Sequence, residues 1–413
     1  MSIGAPNEDP GQKTSWSVAM DTLANNDGEG RLMVVAAGSV DPSPVIANYP
    51  SNNLGWPLDD PAQALNVITV GAITHRTELP ADGMYDQLQA LAADGELSPY
   101  SACDLGGGRP IKPEVVVEGG NCAPDGQLPG TGVETLSLLT TSREFGIGRP
   151  LRFAWATSPA AASVSGSLAT IWSANPGLNL RTIRGLLVHS ARWSGAMRAQ
   201  FQDKRDLLRS FGYGEPDPHA AAWSAKTRPT LVVEGSLSPR VETDGPNKER
   251  EVHYFNLPFP AADLAALGGH PVGLTVTLSF FVEPNETGRQ YAGAMLRWDM
   301  QGPLESAAQF RRRVNKKERL PGHSTDTSSY AWEIGPDTRS RGSVQSDRCT
   351  ASAISLAGER LIAVYPTLGW WESRNERKSA IVPYSLVVTV DAGDAEVDLY
   401  TLIENLLPVV IET

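Results

Sequence analysis

The chain has 413 residues, 41% of them hydrophobic and 20% charged, and a formal net charge of −12. That length supports two sizeable cores, and the acidic balance argues against general nucleic-acid binding. No apolar run approaches the length of a membrane span. Residues 1–10 lack the basic start and hydrophobic core of a signal peptide, so a cytoplasmic protein is expected. Cys103, Cys122 and Cys349 form an odd, sparse set that reads as free thiols in a reducing compartment. Without a CxxC pair, a His/Cys cluster or a dense acidic cluster, neither zinc nor calcium is expected, and no cofactor.

In chain order, residues 14–23 read as a helix. Residues 34–37 and 67–70 are short apolar runs bounded by turn residues, the pattern of parallel strands buried on both faces. Strands alternating with helices imply a helix-flanked, mostly parallel sheet. Chemistry in such sheets gathers at the carboxyl ends of strands, and Gly38-Ser39 sits at one. Two stretches, 73–97 and 121–149, are long for connections. The second reads as a surface excursion, with a substrate-groove wall as the alternative.

At 153–166 an apolar approach delivers Thr157-Ser158 to a run of Ala, Ser and Gly, with Pro159 at a first-turn position that tolerates it. Leu168, Ile171 and Trp172 then read as a core-facing stripe. So little side-chain bulk suggests a helix buried through the middle of a domain. Two readings of Thr157-Ser158 stand. One is a plain N-cap. The other is a nucleophile at the positive end of a helix, beside unpaired N–H groups that can hold an oxyanion.

From about residue 227 the pattern changes. Residues 230–235, 253–257, 272–280, 296–299, 330–334, 361–365, 384–390 and 395–402 read as strands whose spacing fits a β-sandwich. Arg311, Arg312, Arg313, Lys316, Lys317 and Arg319 read as a solvated connector, and Trp370-Trp371 as core. The expected domains are residues 1–226 and 227–413.

The first of these resembles the subtilisin-like serine peptidases. Their nucleophile lies in Gly-Thr-Ser-Met-Ala-x-Pro-His-Val-x-Gly. Thr157, Ser158, Ala160, Val164 and Gly166 match it, while Ala156, Pro159, Ala162 and Ser163 depart. Further segments follow in the family's order. Residues 31–39 are similar to the strand ending in Ala-Gly-Asn, and 66–72 to the next core strand. Residues 98–101 and 109–116 are similar to the segment ending in Lys-Pro-Asp-Val. Asn175-Pro176-Gly177 and the helix at 183–191 follow the serine helix, and 211–217 is similar to the closing Gly-x-Gly-x-Pro-Asn element.

The resemblance implies a subtilisin-like parallel sheet flanked by helices, with an all-β sandwich appended. It implies an endopeptidase that hydrolyses peptide bonds through an acyl-enzyme on Ser158, and a protein or peptide substrate. The family's triad runs Asp, His, Ser, and the residues before Ser39 contain no histidine. Met1–Pro6 is itself similar to the interior of a later strand of the fold. The chain is therefore expected to begin part way through the catalytic domain, with about a third of it absent, and to be inactive alone. The missing Asp and His would come from a companion chain or from the same domain. None of His75, His189, His219, His253, His270 and His323 occupies a position that the family uses for its base.

Ser39 stands where the family has the oxyanion-hole asparagine. Its hydroxyl is a shorter donor, and loss of that donor costs about 10²–10³ in turnover, a magnitude measured on a subtilisin. Asn52, Asn53 and Asn121 are the alternative donors. A second reading is a degenerate peptidase fold that binds a peptide or partner without catalysis.

Overall fold

The computed structural model describes all residues except 8–11, 42–47, 82, 84, 107, 126–127, 225–226, 240–249, 286–289, 320–329, 378, 396, 405–410 and 413. Two compact units emerge. The first comprises residues 1–20, 32–173 and 190–218; the second comprises 21–31, 174–189 and 219–413.

The first unit is built on strand β2 (Ile68–Thr74), all seven residues of which are buried. β1 (Val34–Ala36) and β4 (Val115–Glu118) pair with it in parallel, Val35 opposite Thr69 and Val70 opposite Val115. β3 (Glu96–Leu97) adds an antiparallel step at Ile73 and Thr74. A mostly apolar run, here interrupted by the buried Thr69 and Thr74, makes such a central strand, because both faces lie under other elements. Within β1 the Ala36 N–H donates to the Met1 carbonyl, and beyond the strand Ala5 bridges Asp60.

The segment resembling Lys-Pro-Asp-Val pins β2 from below. Lys112 and Glu114, each 3% exposed, pair at 2.6 Å. Lys112 also donates to the Val67 carbonyl, and Glu114 accepts the Thr69 N–H. The closing element locks onto the same segment: Tyr213 N–H donates to Glu114 and Val116 N–H to Gly214. Gly212, at φ 56, lies so close that a Cβ would sit 1.9 Å from the Pro113 carbonyl.

Residues 121–149 lead into a hairpin of β5 (Leu138–Thr141) and β6 (Leu151–Ala154), Leu139 opposite Phe153. It runs over the surface, with Leu139, Leu151 and Phe153 exposed. The serine helix, Thr157–Ala174, follows at once. It buries one face only, Thr157, Ala160, Ala161, Val164, Leu168 and Ile171, a 3–4 residue spacing. Ala162, Ser163, Ser165, Gly166 and Ala169 are exposed, and so is Trp172, at 50%. The expected burial through the middle of a domain is thus corrected, and Trp172 leaves the core stripe because it falls on the outer face.

The second unit holds two antiparallel four-stranded sheets. One has the order β11-β9-β13-β7, from β11 (Val344–Ser352), β9 (Pro271–Phe280), β13 (Val382–Asp391) and β7 (Thr230–Leu237). The other has the order β10-β12-β8-β14, from β10 (Ala294–Met300), β12 (Leu361–Leu368), β8 (His253–Asn256) and β14 (Ile411–Glu412). The sheets touch through Gln345, whose amide donates to the Leu296 carbonyl, and through the His253–Tyr384 hydrogen bond. The helix Leu180–Ser190 covers the β9–β13 face: Arg184 donates to Ser279 and to the Phe280 and Ser343 carbonyls.

Three expectations change here. Residues 330–334 form no strand, and 399–404 are a helix, Leu399–Glu404. The basic cluster lies on the helix Ala307–Arg319 rather than a connector. There Phe310 and Val314 pack against Tyr254, Leu361 and Tyr365, and Arg313 pairs with Glu305 at 2.9 Å. The side chains of Lys316, Lys317 and Arg319 lie outside the described residues. Trp371 is buried, its Nε1 donating to Glu283.

Candidate active site around Ser158

Thr157 fixes the serine helix to the end of β1. Its hydroxyl donates to the Gly38 carbonyl at 2.9 Å and accepts the Gly38 N–H at 3.3 Å. This clasp brings Gly38-Ser39 beside Thr157-Ser158, two segments 119 residues apart. Ser158 is half-buried in the first turn, where backbone N–H groups have no helical acceptor. Its hydroxyl donates to the Ser2 carbonyl at 3.3 Å, and the Ser2 hydroxyl donates back to the Ser158 carbonyl at 3.4 Å.

The turn before the helix is strained. Ala156 has φ 88, a left-handed conformation that costs a residue with a Cβ about 1–2 kcal/mol. The family motif has glycine there. The turn is held by the Ala156 N–H, which donates to the Gly119 carbonyl at 2.7 Å.

Ser39 is exposed, and its own N–H donates to the Asp59 carboxylate. The asparagines offered as substitute donors are committed elsewhere. The buried Asn53 amide donates to the carbonyls of Ser98, Pro99 and Ser101, the last at 3.1 Å. Asn121, also buried, donates to Arg76 and Ala92 carbonyls and accepts the Ala92 N–H. Asn52 has a partner of its own. The open cleft lined by Thr77, Leu79 and residues 88–94 contains none of Ser39, Asp59 and Ser158.

Among the described residues no imidazole bonds the Ser158 hydroxyl. His75 lies between Asp94, at 2.7 Å, and Glu215, at 3.1 Å. His189 is buried between the hydroxyls of Thr277 and Thr389. His253 bridges Tyr384 and Glu251, and His270 meets the Ala392 carbonyl. His219 packs on Trp223, and His323 lies outside the described residues. Cys103, Cys122 and Cys349 are free and buried, which pushes each thiol up to about 12. Among the described residues no group of acids, histidines and cysteines could hold a metal, and no helix is long and apolar enough to cross a membrane.

Sequence reasoning missed Asp59. It sits in no recognisable motif, and only the fold carries its carboxylate to Gly38.

The chain is 26% identical to the uncharacterized protein y4bN of Sinorhizobium fredii over 419 aligned residues, covering 95% of this chain and 90% of that protein. Among solved structures it is similar to the prenylagaramide maturation protease PagA, at 17% identity and a TM-score of 0.32, over 53% of this chain and 58% of that one. It is also similar to MycP1 from Mycobacterium smegmatis, at 22% identity and a TM-score of 0.27, over 50% and 45% of the two chains. The chain thus spans about half the length of these solved proteins. Residues 1–214, just over half of the chain, match the profile of the subtilase family of peptidases, and the chain belongs to that family.

Proposed function

We propose that Ser158 is the acylating nucleophile of a serine endopeptidase site that is idle in the isolated chain. The carrying observation is the Thr157–Gly38 clasp, which holds a half-buried serine at a helix N-terminus beside the end of a parallel strand. In the proposed reaction the Ser158 oxygen attacks a peptide carbonyl carbon and gives its proton to a base. The resulting oxyanion accepts hydrogen bonds from the Ser158 N–H and, more weakly, from the Ser39 hydroxyl. Collapse breaks the C–N bond as the amine leaves with a proton, and water then hydrolyses the ester.

The base and its orienting carboxylate come from outside the described residues, on another segment of the polypeptide or on a companion chain. Three free, buried cysteines support placing this chemistry in a reducing cytoplasm. A fluorophosphonate probe tests the reading. The chain alone should label no more than its Ser158→Ala variant, and coexpression with the flanking coding sequence should restore Ser158-dependent labelling. Labelling of the chain alone would overturn the idle state, and none in either case would overturn the peptidase.

The strained Ala156 and the short Ser39 donor favour a second reading, a degenerate fold that binds peptide without cutting. It requires peptide binding that Ser158→Ala leaves unchanged and no labelling under any condition.

A further inference from the structure

Asp59 lies just ahead of β2, half-buried against two glycines. A Cβ on Gly38 would stand 2.7 Å from Asp59 Cγ, and one on Gly4 2.9 Å from its Cβ and 3.3 Å from Oδ2. Only glycine permits both approaches. The Ser39 N–H donates to the carboxylate, and the Asp59 N–H donates to the Ala37 carbonyl at 3.0 Å. The carboxylate is therefore seated between residues 1–5 and the end of β1.

The same two segments flank the serine. Thr157 clasps Gly38, and the Ser158 hydroxyl meets Ser2. Ser158 and Asp59 thus touch the first segment two residues apart, at most about 7 Å along the chain. Among the described residues no basic side chain pairs with Asp59. Burial raises its pKa, and the Ser39 N–H opposes that rise. A half-buried carboxylate with one hydrogen bond lacks the counter-charge that would offset its desolvation.

We infer that Asp59 receives the cationic side chain, lysine or arginine, of the residue whose carbonyl Ser158 attacks. With that carbonyl at the serine, the side chain runs past Ser2 to Gly4 and presents its charge to the carboxylate. The four-carbon stem of lysine, or the fork of arginine, suits this reach. The inference rests on Ser158 as nucleophile and adds the class of substrate.

The test needs no turnover. Benzamidine and its neutral analogue benzamide are titrated calorimetrically into the full chain, into Asp59→Asn and into Ser158→Ala. Asparagine keeps an acceptor for the Ser39 N–H, so a thermal melt like that of the parent separates lost charge from lost fold. Benzamidine should bind at least about tenfold tighter than benzamide, with the preference kept in Ser158→Ala and lost in Asp59→Asn. Equal binding of the two probes, or a preference that survives Asp59→Asn, overturns the inference. Fluorophosphonate labelling, scored separately, keeps the two claims apart. An Asp59-dependent preference beside a serine that never labels retains the cation site and removes the peptidase. A labelled serine without that preference does the reverse.

Discussion

Ala156 stands at φ 88 in the turn that aims Ser158. The left-handed backbone costs about 1–2 kcal/mol for a residue with a Cβ. Glycine would remove that cost but give back about 0.4–1 kcal/mol through the freer unfolded chain. Ala156→Gly should therefore stabilise the protein by about 0.5–1 kcal/mol, read as a higher urea midpoint at unchanged slope. A lower midpoint would mean that the alanine methyl packs usefully in the turn. His75 gives a pH prediction at the same scale. Burial lowers its pKa, but hydrogen bonds and charge from Asp94 and Glu215 outweigh that, and the net direction is up. A raised folded-state pKa means the contribution is complete below the ordinary histidine value of about 6.5. It is lost as pH rises through the higher folded value. Melting temperature should fall across that window in the parent, and His75→Gln should flatten this part of the profile. Because the ring is 45% exposed the slope should be shallow, and a slope that survives the substitution would assign it to other groups.

Among the elements, β11 shows where buried polarity hides a strand from sequence reading. β9 and β13 were legible because Leu274, Val276 and Leu278, like Leu386, Val387 and Val388, give the apolar signal of a covered strand. β11 runs Val-Gln-Ser-Asp-Arg-Cys-Thr-Ala-Ser and resembles a loop by composition. Its burial is supported by partners for most of its buried polar groups, the Gln345 Oε1 excepted. Gln345 donates to the Leu296 and Gly342 carbonyls, and Asp347, 0% exposed, pairs with Arg339 at 2.9 Å. Long-range pairing of that kind leaves no local pattern. The reverse error occurred at residues 330–334, where aromatics suggested a strand. Tyr330 and Trp332 instead pack edge-to-face on each other, and Trp332 does the same on Trp298. In the candidate site, Thr157-Ser158 and Gly38-Ser39 were legible because helix starts and strand ends carry local signals. The Thr157–Gly38 clasp and the seat of Asp59 were not, since both join residues distant in sequence. Removing one partner of the β11 pair gives the element-scale prediction. Asp347→Ala leaves the Arg339 guanidinium buried without its counter-charge and should cost about 3–5 kcal/mol. Arg339 lies 3.6 Å over the Trp298 ring, so tryptophan fluorescence during denaturation should follow the loss. A cost under about 1 kcal/mol would mean that the guanidinium finds other acceptors.

The two compact units of the whole molecule are not consecutive in sequence. The chain passes between them at 20/21, 31/32, 173/174, 189/190 and 218/219. A cut near residue 226, where composition changes, would separate the β-rich strands from the helix Leu180–Ser190, which belongs to their unit. That helix covers the β9–β13 face with specific contacts. Thr182 bonds Ser385, Arg184 reaches Ser279 and Ser343, and His189 sits between Thr277 and Thr389. A Cβ on Gly185 would stand 3.3 Å from Ser279 and 3.7 Å from Val387, so the helix backbone lies close on the sheet. Without it, Ser279, Thr277 and Ser385 lose their helix partners and the apolar residues of the same face meet water. A fragment of residues 227–413 should therefore retain strand-like far-ultraviolet dichroism but lose near-ultraviolet signal and cooperative melting. Adding residues 174–226 to the same fragment should restore both, because that extension returns the helix and the 219–226 segment of the same unit. If the shorter fragment melts cooperatively with full near-ultraviolet signal, the strands form a self-sufficient domain and the helix is a passenger on their surface.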